Sequence, residues 1–168
     1  RASLPNREWV LPAQDLDKLT VAQLKSEISA ANLELQVLDA QAIRTFTPPC
    51  GDSTALDGNY LTEVAPLFSA IKGPAELQQQ LVDLPSSVLF LPTWFPVEPT
   101  LAELIAYLEQ AERNHSIASI SFHGVSGDHL QVDANIHQQF LAYLAENSQR
   151  FQVDTALNIS RQLALTQP

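Results

Sequence analysis

The sequence contains no methionine, a single cysteine and only five glycines. Each scarcity removes something. One cysteine, Cys50, leaves no partner for an intrachain disulfide. Among so few glycines there is no glycine-rich phosphate loop, and neither a Gly-x-Ser-x-Gly elbow nor a Cys-x-x-Cys pair occurs. Cations are scarce too. Nine Lys and Arg face nineteen Asp and Glu, for a net charge of −10 with no basic cluster. Nucleic acid is therefore excluded as a partner, because binding it requires phosphate neutralisation. No apolar run approaches the ~18 residues of a membrane span; the run Val88 to Leu91, for example, stops at Pro92. A chain that lacks methionine and opens at Arg1 is expected to have lost something in front, whether a signal peptide, a larger segment or the rest of a longer protein.

What is present suits one domain over residues 1–168. Apolar residues make up 45% of the chain, enough for a hydrophobic core. Residues 1–18 show no clear period. Thr20 and Gln23 then form a capping-box pattern, and Val21, Leu24, Ile28 and Ala31 succeed them at helical spacing toward about Leu35. Residues 44–47 read as a short strand ending at Pro48-Pro49. A helix is expected between Tyr60 and Leu67, a strand over Phe68 to Ile71, and a helix over Ala75 to Leu84. Val88 to Leu91 reads as a buried strand stopped by Pro92. Thr100 with Glu103 caps a helix bearing Leu101, Leu104, Ile105 and Leu108, and Ile117 to Phe122 reads as another buried strand. Asp133 caps a helix with Ile136, Phe140, Leu141 and Leu144 on one face. Phe151 to Val153 is expected as a last strand, and Thr155 caps a final helix with Leu157, Ile159 and Leu163.

Alternating strands and amphipathic helices predict an α/β fold with a parallel sheet. Both an open doubly wound sheet and a piece of a barrel satisfy the pattern. Either one gathers functional side chains at the C-terminal ends of its strands. Those ends fall at Thr47 to Gly51, Leu91 to Phe95 and His123 to Asp128. His123, beside Gly124, can move protons near neutral pH, or it can be an ordinary hydrogen-bonded histidine. Pro48-Pro49-Cys50-Gly51 makes a rigid turn able to present backbone N–H groups, or simply a rigid turn. Cys50 becomes a nucleophile only with a base beside it. Trp94-Phe95 can stack on a sugar ring or pack into the core. The histidines show no metal-ligand spacing among themselves.

Three segments together resemble the polysaccharide deacetylase (NodB-like) family. Residues 19–28 look like the helix after the family's metal-binding motif. Arg44-Thr-Phe-Thr-Pro-Pro-Cys-Gly-Asp52 looks like its proline-rich motif. Ser121-Phe-His-Gly-Val-Ser-Gly-Asp128 looks like its last motif, and residues 140–159 resemble the family's segment beyond that motif. The resemblance runs in family order over about residues 6 to 160. It implies a partial or distorted (β/α) barrel with parallel strands and flanking helices, and metal-dependent hydrolysis of acetyl groups on a polysaccharide or oligosaccharide. In that chemistry a zinc-like divalent ion polarises the acetyl carbonyl and a water. His123 matches the histidine that protonates the leaving group. Phe46, Pro49, Cys50 and Gly51 would line the acetyl pocket, and Trp94 falls near the groove wall. The same resemblance implies extracytoplasmic localisation.

The chain departs from the family at the metal. The two histidine positions of the metal motif are matched by Arg7 and Leu11, within Asn6-Arg7-Glu8-Trp9-Val10-Leu11-Pro12. Arg is cationic and Leu has no lone pair. The family's early Asp-Asp pair, which supplies the base, has no counterpart in the sequence. The expectation is a deacetylase-like domain that binds no metal and is inactive alone, the alternative being a non-catalytic glycan-binding or protein-interaction domain. An unclosed sheet also leaves an edge to protect. Residues 1–18 are expected to cover it, or the chain to self-associate.

Overall fold

The computed structural model describes residues 16–80, 88–127 and 129–166. Arg7 and Leu11 lie outside the described residues, as does the expected edge cover in residues 1–15. The first helix, α1 (Val21–Asp39), begins as the capping pattern requires: the Thr20 hydroxyl accepts from the Gln23 N–H, and the Gln23 side chain accepts from the Thr20 N–H. It runs four residues beyond Leu35 and stops at Ala40, which is left-handed (φ 56°) and donates its N–H to Gln36 O. Only Leu24 is buried on this helix. Ala31, expected to face the core, is exposed.

Beyond α1 the chain builds a four-stranded parallel sheet, in the order β1 (Thr45–Phe46), β4 (Ala70–Gly73), β5 (Leu89–Trp94), β6 (Ser119–Ile120). The strands lie side by side in chain order, in a mixed α/β arrangement. Between β1 and β4 the chain makes a hairpin, β2 (Thr54–Ala55) and β3 (Gly58–Asn59), then one helical turn, α2 (Leu61–Val64), running into a 3-10 turn over Ala65–Leu67. The hairpin was not among the expected elements, although Asp57-Gly58, a residue pair that favours tight turns, marks it in the sequence.

Three strand expectations move. The strand expected over Phe68 to Ile71 pairs over Ala70–Gly73, since Phe68 closes the preceding 3-10 turn. Pro92 does not stop β5. It sits opposite Gly73, the last residue of β4, and the strand continues to Thr93 and Trp94 by pairing with β6 on its other side. A proline at the end of one ladder loses little, because the ring removes a donor where the partner strand is already ending. Residues 117–122 pair only at Ser119 and Ile120 and are half-buried throughout. The expected helix from Ala75 is a 3-10 segment over Ala75–Gln80; residues 81–84 lie outside the described residues.

The C-terminal half packs around α3 (Leu101–Arg113) and α4 (Ala134–Glu146). Thr100 and Glu103 form a second complete capping box, and Asp133 caps α4 through the Asn135 and Ile136 N–H groups. Leu104, Leu108 and Phe140 form the buried centre of one cluster, joined by Trp94, Ile120 and Phe151 at its margin. Leu141, expected on that face, is 51% exposed. A second cluster joins Leu24, Tyr60, Leu61, Val64, Phe68 and Leu77, and a third joins Ala65, Ile71 and Val88; Phe46 and Phe90 pack against both. The last helix, α5 (Ala156–Thr166), starts where Thr155 accepts from the Asn158 N–H, and Ser160 meets Ser69 at 3.0 Å beside the start of β4.

Residues 151–153 form no strand. Arg150 grips Glu112 of α3 with two hydrogen bonds, at 2.7 and 3.1 Å, and Phe151 packs against Tyr143 of α4.

Candidate functional site

Parallel pairing puts the C-terminal ends of β1, β4, β5 and β6 on one side of the sheet. The proline-rich loop leaves β1 there, Trp94-Phe95 leaves β5, and residues 121–123 leave β6. The loop after β1 is tightly specified. Cys50 and Gly51 both adopt positive φ (55° and 68°), and the N–H groups of Gly51 and Asp52 are donated back to Pro48 and Pro49. A Cβ on Gly51 would lie 3.0 Å from the Pro74 ring, so this loop seats against the turn that ends β4. From below, the buried Tyr60 hydroxyl donates to Asp52 O at 2.9 Å. Burial raises the Tyr60 phenol above its ordinary range, keeping it a donor. Pro49 and Cys50 are exposed on top. Since two of the loop's N–H groups are spent on its own turn, those two are not available to an oxyanion.

On the other flank, the exposed His123 ring lies 6.1 Å from the ring of Phe95. The two loops are tied again where the Glu98 N–H donates to Gln131 O at 2.8 Å. Gln131 belongs to β8 (Gln131–Val132), which pairs with β7 (Gly124–Val125) just beyond His123. Trp94 turns the other way. Its ring is 5.0 Å from Tyr107 of α3, half-buried at the edge of the C-terminal cluster. Adjacent residues of a strand point to opposite faces, so Phe95 rather than Trp94 shares the side of His123. That parity was readable in the sequence once Leu91 was known to face inward. Phe46 is half-buried and stacks on Phe68 at 4.8 Å.

Two pairs are therefore brought together, Gly51 with Pro74 and His123 with Phe95. Cys50 and His123 leave strands three spacings apart, on the order of 14 Å at ~4.8 Å each. The sheet thus sets up no direct nucleophile–base pair between them; the ends of β4 and β5, with Pro74 and Phe95, lie between the two. Against known proteins, the chain matches no family model, no curated sequence and no solved structure.

Among the described residues no three His, Cys, Asp or Glu side chains cluster in a way that could hold a metal ion. At the two positions where the resemblance calls for metal ligands, Arg7 and Leu11 do not fit the ion: one is a cation and the other has no lone pair. Among the described residues, too, no helix is long and apolar enough to cross a membrane.

Proposed function

We propose that this chain is a polysaccharide deacetylase-like domain that binds acetylated glycans across the loops at the C-terminal ends of its parallel strands, from the proline-rich loop to His123, and that it does not hydrolyse them alone. The supporting observation is positional. The proline-rich segment and the His123 segment lie just past the C-terminal end of a parallel strand, and Trp94-Phe95 straddles the end of β5, all on one side of one sheet. Folds of this kind gather their ligands on that side. A neutral, acetylated glycan also suits a chain of net charge −10, which repels polyanions but not sugars. In this reading His123 and Phe95 form one wall, Pro49, Cys50 and Gly51 the other, and Phe46 supports that second wall from within. The extracytoplasmic setting belongs to the same proposal.

Inactivity is the second half of the reading, and it rests on Arg7 and Leu11. With no ligand pair, the ion that would polarise an acetyl carbonyl has nothing to hold it. The two halves separate in one experiment. Chitooligosaccharides and acetylxylan fragments are titrated by calorimetry, and acetate release is monitored with zinc, cobalt or nickel added. The expected result is binding that weakens at least tenfold in Phe95→Ala, with no acetate above a His123→Ala control. Acetate release above that control overturns inactivity. Absence of binding to either glycan overturns the glycan reading and leaves a protein-interaction domain.

A further inference from the structure

A cavity of about 530 Å³ lies between one face of the sheet and the helices α3, α4 and α5. Its floor includes Lys72 of β4 and Leu91 of β5, which are register partners and so point to the same face. Their neighbours Ile71 and Phe90 turn to the opposite face, where they pack with Ala65 and Val88. Leu108, Phe140 and Ile159 give the cavity an apolar wall from each of the three helices. Small-molecule sites occupy roughly 300–1,000 Å³ and combine such walls with a few polar groups.

What this cavity offers a ligand depends on which of its polar groups are already engaged. Four charged side chains line it: Lys72, Glu112, Arg150 and Asp154. Arg150 spends its guanidinium on both Glu112 oxygens, the Tyr143 hydroxyl and the Asn147 side-chain oxygen. The Asp154 carboxylate accepts from the Thr155 N–H and from Asn158 Nδ2 at the start of α5. The uncharged polar side chains are engaged as well, Ser119 with Thr93, Ser116 with Ala111 O, and Gln152 with Gln162. Lys72 differs. It is half-buried, and among the described residues its ammonium has neither a hydrogen bond nor an ion pair. A cation beside apolar walls gains from one counter-charge, because those walls give it nothing in place of lost water.

We propose that this cavity binds a small apolar molecule bearing one carboxylate, with its head on the Lys72 ammonium and its body against Leu108, Phe140 and Ile159. Burial of the body supplies affinity, and the charge-assisted hydrogen bond fixes its orientation. The head carries a single charge, since the chain's net charge of −10 and the Glu112 and Asp154 carboxylates in the same walls oppose a polyanion. The inference stands apart from glycan binding: none of Pro49, Cys50, Gly51, Phe95 and His123 lines the cavity.

The test uses the full chain at pH 7, with decanoate and 2-naphthoate as probes and decanol and 2-naphthol as their uncharged counterparts. Binding is measured by calorimetry and located by NMR amide shifts. The expected result is saturable binding of at least one acid, at least tenfold tighter than its alcohol, with shifts centred on Lys72 and Leu91. Whichever acid binds more tightly identifies a chain or a ring as the body. Lys72→Met keeps the apolar stem and removes the charge. It should weaken the acid at least tenfold and leave both the alcohol's affinity and the far-ultraviolet circular dichroism unchanged, whereas Lys72→Arg should retain the acid. Equal binding of acid and alcohol, a comparison that needs no variant, would reduce the cavity to an apolar hollow and overturn the proposal. So would an acid indifferent to Lys72→Met. No binding of either acid, or shifts centred on His123 instead, overturns it outright.

Discussion

At the residue scale, two positions carry more constraint than their neighbours. Gly51 combines a left-handed backbone with a close approach to Pro74. Gly51→Ala adds a Cβ that is strained by the backbone and 3.0 Å from a proline ring, itself held in the chain. A loss of about 1–2 kcal/mol is expected in urea unfolding, whereas Gly124→Ala, with open space around it, should lose less. Asp39 is the second. Its carboxylate accepts two hydrogen bonds from Arg44 and one from the Gln41 N–H, and the Arg44 bonds above all lower its pKa from 3.8 to about 2. The folded value lies below the unfolded one. This contribution is therefore complete above about pH 4 and disappears as the pH falls toward 2. Asp39→Asn should flatten the stability profile across that window in acid titrations of the unfolding midpoint. An unchanged profile would mean that the ion pair is solvated and idle.

At the element scale, the helix starts were the most legible feature. Thr20 with Gln23 and Thr100 with Glu103 close as complete capping boxes, because cap and partner are three residues apart and need no tertiary contact to find each other. Thr100→Ala should cost about 1 kcal/mol, and acid should weaken this cap. Hydrogen bonds from the Thr100 N–H and hydroxyl hold the Glu103 carboxylate below its ordinary range, so its help is present above the unfolded value and lost as pH falls through the folded one. Which face of a helix finds a neighbour was less legible. The period that runs through Leu24 and Ile28 continues through Ala31, Leu35 and Leu38, yet the later residues are exposed, Leu38 by 82%. Leu24→Ala should cost about 2–5 kcal/mol. Leu38→Gln should stay within roughly 0.5 kcal/mol, and a larger loss would mean that the outer half of α1 is covered in solution.

At the scale of the whole molecule, the apolar contacts fall into two bodies. The clusters around Tyr60 and Ile71 share Phe46 and Phe90, while the cluster around Leu104 gathers α3, α4 and β6. β5 runs through both, with Phe90 in one and Trp94 in the other. Leu104 is fully buried, so Leu104→Ala should cost about 2–5 kcal/mol. Hydrogen exchange should show α3 and α4 losing protection before α2 and β4 do. Uniform loss across the chain would show instead that the two bodies unfold as one.

The sequence by itself determined where helices begin, that strands alternate with them, and which loops sit at strand ends. Each of these depends on residues within a few positions of one another. Tertiary structure alone decided that Phe151 to Val153 forms no strand; beside it Arg150 is held by Glu112, 38 residues away in sequence. It decided likewise that Pro92 lies within a strand, since a second neighbour, β6, takes over the pairing where β4 ends. It also turned Trp94 toward Tyr107 and left Phe95 beside His123. A strand's alternation is written in the sequence, but which of its two faces meets helices depends on how the rest of the chain packs.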